Sequence, residues 1–206
     1  MRDQTISDFL ERLAAKVPAP GGGAAAALQA GQAAALLGMV ARYSDGEKYR
    51  DHAGTIGRVR DEADRLRGVA LGLAEDDMAA FGAVAEAYKL PKATDEEKRA
   101  RSEAIASALA EAARPPAETV AAASRLVELA EELLPVGNRN VITDVAAAAE
   151  AARSALTTAR VNVEINLGGV TDDKARDELA AALAGVDAQV ARADRITAAV
   201  REEIAR

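Results

Sequence analysis

Apolar positions recur at three- and four-residue steps along most of the chain, the period of an α-helix packed on one side. Ile6, Phe9, Leu10 and Leu13 mark a first helix from about Thr5 to Lys16, with Thr5 and Asp8 as its start signals. After Pro18-Ala-Pro-Gly-Gly-Gly23 an uncharged stretch predicts a second helix, from about Gly23 to Tyr43, which Ser44-Asp45-Gly46 breaks. A long third helix covers about Tyr49 to Tyr88, with Gly54 or Gly57 as a candidate point of interruption. Lys89-Leu-Pro-Lys92 forms a loop, and Thr94 with Glu97 makes a capping box that opens a fourth helix to about Arg114. Pro115-Pro116 restarts the chain into a fifth helix ending near Leu134. A sixth runs from about Asn140 to Leu167, where Gly168-Gly169 stops it. Thr171-Asp-Asp173 then caps a last amphipathic helix to about Ile204. The expectation is an all-α fold: residues 1–206 as one antiparallel bundle of long helices.

Composition strengthens this. Alanine, the best helix former, supplies 53 of the 206 residues, while five are Phe or Tyr and none is Trp. Faces so rich in alanine and so poor in large side chains gain little from burial in a lone subunit, so a homodimer is expected. The net charge of −7 argues against nucleic acid as a partner, which would need clustered cations. No cysteine is present, and Asp3, Asp8 and Glu11 stand where a secretory leader would be basic and then apolar. A reducing, cytoplasmic setting is expected. Val17 to Ala41 carries no charge, which raises a membrane span, but the stretch opens on Pro and Gly, holds Gln29 and Gln32, and is mostly Ala. A buried central helix, with Gly31 and Gly38 permitting close contact, is the better account, and no membrane partner is expected.

Two segments call for more than solubility. Gly137-Asn-Arg-Asn-Val-Ile-Thr-Asp144 is answered some twenty residues on by Asn162-Val-Glu-Ile-Asn166. Asn and Asp are poor helix-interior residues because their side chains compete for backbone groups. Capping of the sixth helix accounts for one of Asn138, Asn140 and Asp144, and no cap accounts for Asn162. Asp144 and Asn162 stand five turns apart on one side of the helix, about 27 Å along its axis. One small-molecule site uses both ends only if the helix bends or an antiparallel copy from a second subunit completes it. On the third helix, Leu66, Val69, Ala70, Leu73, Ala80, Phe81, Val84 and Tyr88 share a face, and Asp77 continues it. A carboxylate there is either a paired register group or a functional one with a raised pKa, with Asp76 on the wetter side. Gly21, Gly22 and Gly23 either relieve crowding at a turn or expose N–H groups at a helix start, an oxyanion site. Lys89 and Lys92 are solvated or hold an anionic tail. The only histidine is His52, and no Glu-x-x-His pair occurs, so zinc, di-iron and Ser-His-Asp chemistry are not expected, and no metal ligands are assigned. Acid/base work by carboxylates remains.

Five stretches occurring in order resemble the cyclodeaminase/cyclohydrolase family of folate one-carbon enzymes: Pro18–Leu28, Asp77–Phe81, Tyr88–Lys98, Gly137–Asn140 with Thr143-Asp144, and Asn162–Asn166. The chain departs from the family in Ala24 and Thr143, where serine is common, and in the acidic Asp45-Gly-Glu-Lys-Tyr49, where a basic run is common. The resemblance implies a helical dimer with a tetrahydrofolate derivative as substrate and no permanently bound cofactor. It implies, first, a formimidoyltetrahydrofolate cyclodeaminase, releasing ammonia and closing the methenyl ring. The alternatives are a 5,10-methenyltetrahydrofolate cyclohydrolase and an idle helical dimer on the same scaffold. Asp77 and Asp144 are the catalytic candidates, and Gly21, Gly22, Gly23, Lys89, Asn138, Asn140, Asn162 and Asn166 the substrate-binding ones.

Overall fold

A computed structural model describes residues 3–206. Its helices are α1 (Ile6–Ala14), α2 (Gly22–Arg42), α3 (Ala53–Ala87), α4 (Asp95–Leu133), α5 (Ile142–Leu167), α6 (Asp173–Leu183) and α7 (Val186–Ile204). Two 3-10 turns, Glu47–His52 and Arg139–Val141, join α2 to α3 and α4 to α5. The described residues contain no strand. Each of α2 to α5 packs on the next, and α5 returns against α2, closing an up-and-down four-helix bundle. α7 lies on α5, and α6 on α4.

One core unites α2, α3, α4, α5 and α7, with Leu37, Val59, Leu126, Leu133, Leu156 and Ile196 fully buried in it. α2 is its centre. The helix has the length and hydropathy of a membrane span, yet 61% of its most apolar window is buried inside the bundle. A Cβ at Gly31 would stand 3.6 Å from that of Ala70, so α2 and α3 approach closely there. Around the outside, Arg125 of α4 pairs with Glu62 of α3 at 2.8 Å and Arg192 of α7 pairs with Glu131 of α4 at 2.5 Å.

The capping boxes of α1 and α4 form as their sequences predict, Thr5 with Asp8 and Thr94 with Glu97. Several expectations are corrected. The predicted fourth and fifth helices are one, α4, with Pro115 and Pro116 inside it. The last predicted helix is two, because α6 must lie on α4 and α7 on α5, and the chain changes direction at Ala184-Gly185. The predicted third helix begins as a 3-10 turn and is α-helical only from Ala53. The stripe of α1 is not a core stripe: Phe9 is buried, whereas Ile6 is 81% and Leu10 55% exposed, because α1 barely touches the bundle. On α3, Leu66, Ala70, Leu73 and Val84 are buried, but Val69, Phe81 and Tyr88 face outward. That face is wider than the core contact.

Candidate active site

A small apolar cluster of Ala24, Ala27, Leu73 and Ala74, with Met78 against it, seats the first turns of α2 on the middle of α3. Above this cluster stands Asp77. Its carboxylate occupies the space a side chain at residue 23 would need: a Cβ on Gly23 would come within 1.9 Å of Oδ1 and 2.8 Å of Oδ2. Glycine is required here by the close approach of the carboxylate and not by backbone conformation, since Gly23 has no positive φ. Half-burial pushes the Asp77 carboxyl above its ordinary pKa of 3.8, while hydrogen bonding from the Ala24 backbone N–H draws it the other way. Burial wins. No side chain caps α2, whose N-cap is Gly21, so the Asp77 carboxylate supplies the negative group that the helix start favours.

Asn162 completes the group. A Cβ on Gly22 would lie 3.2 Å from its Nδ2 and 3.5 Å from its Oδ1. Nδ2 donates to Thr158 O at 2.8 Å, which leaves Oδ1 as an acceptor beside the α2 start. Gly21, Gly22, Gly23, Asp77 and Asn162 are therefore brought together from α2, α3 and α5. Backbone N–H groups in the first turn of α2 have no partners within the helix and can donate to an oxygen held between Asp77 and Asn162.

The other candidates lie elsewhere. Asn138 donates from its backbone N–H to Ser44 Oγ at 2.8 Å and from Nδ2 to Tyr43 O at 2.7 Å, and its Oδ1 accepts the Asn140 N–H at 3.0 Å. It ties the start of α5 to the end of α2. Asn140 is exposed beside it, and Asp144 is half-buried in the first turn of α5. Since α2 and α5 run antiparallel, these three sit at the opposite end of α2 from Gly22, about 30 Å away. Within one chain the two polar ends do not meet. Lys89 is exposed, paired with Glu86 at 2.6 Å, and about 18 Å along α3 from Asp77. Asn166, one turn beyond Asn162, donates to Asn162 O at 2.8 Å and to Ala112 O on α4 at 3.5 Å. Asp76 faces away, lining a cleft of about 360 Å³ between α3 and α4 with Arg114 and Glu118. Among the described residues no group of three His, Cys, Asp or Glu could hold a metal ion.

Sequence reasoning missed the Ala24 N–H, because a backbone donor carries no residue signature. It missed the Ala112 carbonyl too, although a proline inside a helix is a signal that a carbonyl four residues earlier needs another donor.

Residues 5–185 match the family model described as formiminotransferase-cyclodeaminase, and the chain belongs to that family. It is 37% identical to the methenyltetrahydrofolate cyclohydrolase of Methylorubrum extorquens over 204 residues, 98% of each chain. It is 34% identical to the formimidoyltransferase-cyclodeaminase of Mus musculus over 172 residues, 83% of this chain but 32% of that one. Its fold matches the crystal structure of formiminotetrahydrofolate cyclodeaminase from Thermotoga maritima with a TM-score of 0.86 and 28% identity, covering 100% of this chain and 99% of that one.

Proposed function

We propose that this chain is a homodimeric, cytoplasmic methenyltetrahydrofolate cyclohydrolase, converting 5,10-methenyltetrahydrofolate and water to 10-formyltetrahydrofolate. This reverses the preference drawn from sequence, which put cyclodeamination first. Support comes from the relative that matches end to end, whose name is the cyclohydrolase. Cyclodeamination stands as the second reading, favoured by the Thermotoga maritima structure, which also matches from end to end.

The observation that carries the chemistry is the Asp77 carboxylate, raised in pKa by burial and held against Gly23. Its negative charge suits the cationic methenyl carbon, and its raised pKa makes it a better base than a solvated aspartate. As water attacks that carbon, Asp77 takes a proton. The bond from carbon to N5 then breaks, Asp77 returns the proton to N5, and the hydroxyl loses its own to become the formyl oxygen. One proton is released overall, which balances the loss of the cation. First-turn N–H groups of α2 donate to the oxygen as it gains charge, and Asn162 Oδ1 orients the substrate.

The remote end of α5 enters through the dimer. On α2, Ala25, Gln29, Gln32, Leu36, Met39 and Tyr43 share a face that stays partly or fully exposed, as do Ala147, Ala151, Ser154, Thr158 and Val161 on α5. Neither stripe carries a charge, and Gln29 Oε1 is shielded from water without a hydrogen-bond partner. An antiparallel copy on this face sets Asn138, Asn140 and Asp144 of one subunit beside Asp77 and Asn162 of the other.

The test is an ultraviolet assay offering 5,10-methenyl- and 5-formiminotetrahydrofolate separately. Methenyl absorbance should decay faster than in buffer, and an Asp77→Asn chain should not accelerate it. A gain of absorbance from the formimino substrate, with no effect on the methenyl one, would replace the first reading by the second.

A further inference from the structure

Pro115 and Pro116 stand inside α4, and neither has a backbone N–H. In an unbroken helix those donors would serve the carbonyls of Glu111 and Ala112. Glu111 lines open clefts on both sides of α4, where water reaches it. Ala112 is only 5% exposed, so its carbonyl needs a partner from the protein. That partner is Asn166 Nδ2, which spans from α5 at 3.5 Å while donating to Asn162 O at 2.8 Å. Both protons of the amide thus have backbone acceptors.

We propose that Asn166 is a positioning residue rather than a substrate contact. By bonding the carbonyl that Pro116 leaves open, it locks the last turn of α5 to α4. The lock holds Asn162, one turn earlier, against the start of α2. Proline inside α4 is then part of the site's construction: it creates the acceptor that a side chain from α5 fills. The inference rests on the catalytic reading of Asp77, Gly23 and Asn162.

A four-protein cycle tests it: wild type, Asn166→Ala, Pro116→Ala and the double variant. Pro116→Ala returns an N–H to the Ala112 carbonyl within α4. Asn166→Ala alone should lower kcat roughly tenfold or more through misplacement of Asn162, with little change in KM. In the Pro116→Ala background the same change should cost less than about threefold, because the carbonyl is already satisfied. Equal loss in both backgrounds with a raised KM marks a direct substrate contact and overturns the proposal, as does Asn166→Ala at the wild-type rate. Melting temperatures from the same cycle read the contact without turnover: Asn166→Ala should lower Tm, and Pro116→Ala should cancel the drop. Were wild type inactive on folates while this coupling held, the functional reading would fail and the contact would stand. If the Pro116→Ala chain does not fold, the side-chain amide of Asn166 in the wild type decides by NMR. Slow solvent exchange is expected, and exchange at the rate of a free asparagine overturns the proposal.

Discussion

Gly23→Ala is the sharpest perturbation the structure offers, because stability and activity should part company. The new Cβ would sit 1.9 Å from Asp77 Oδ1, whereas ordinary contact begins at 3.4 Å, so the carboxylate must retreat by on the order of 1.5 Å. The clash is with the end of a side chain, and moving it is inexpensive to the fold. Alanine inside a helix gains about 1 kcal/mol over glycine, and losing the capping carboxylate costs about the same. Net stability should therefore change by less than about 1 kcal/mol. Activity is another matter. A catalytic group misplaced by 1 Å costs about 100-fold, so kcat should fall on the order of 100- to 1000-fold, roughly 3 to 4 kcal/mol in the barrier. Neighbouring glycines calibrate the effect. Gly22→Ala brings a Cβ to 3.2 Å from Asn162 Nδ2, a clash of a few tenths of an ångström, and should cost less than about tenfold. Gly21→Ala meets nothing within 4 Å and should leave kcat unchanged. Decay of methenyl absorbance, with a thermal melt of each variant, measures both sides. A Gly23→Ala enzyme with wild-type melting and kcat/KM within about threefold would refute the role given to Asp77.

Two further outcomes follow from the same geometry. The Asp77 pKa is raised in the folded chain, so kcat/KM should rise with pH through a midpoint above 3.8 as the base ionises. The folded state holds this proton more tightly than the unfolded one, so the Asp77 contribution to stability falls between pH 3.8 and the folded pKa. Asp77→Asn removes that term, and its melting temperature should gain on wild type across the same window; a constant gap would mean that the carboxyl is unperturbed. For the shared site, an inactive Asp77→Asn chain mixed equally with an inactive Asp144→Ala chain should recover about a quarter of wild-type activity, since half of the dimers are mixed and each has one intact site. Mixed dimers identified by differential tags but wholly inactive would mean that each site is built within one subunit.

What the sequence determined is what short-range physics determines. Helical periodicity, the alanine content and the boxes at Thr5 and Thr94 involve residues three or four apart, so they are readable without a fold. The chemical candidates were legible as well, because an aspartate on a core-facing stripe and asparagines inside a helix are out of place locally. Their partners were not. Asp77 meets Gly23 across 54 residues, and Asn138 meets Tyr43 across 95, contacts that exist only once α2 lies between α3 and α5. The same limit explains the prolines. Pro115-Pro116 looks like a helix boundary because the helix itself cannot supply the missing donors; α4 continues through them where Asn166, from another helix, bonds the buried carbonyl of Ala112. Which of the polar residues share a site was likewise a tertiary decision. Asp144 and Asn162 face the same side of α5, but antiparallel packing sends them to opposite ends of α2, and helical rise keeps them about 27 Å apart within one chain.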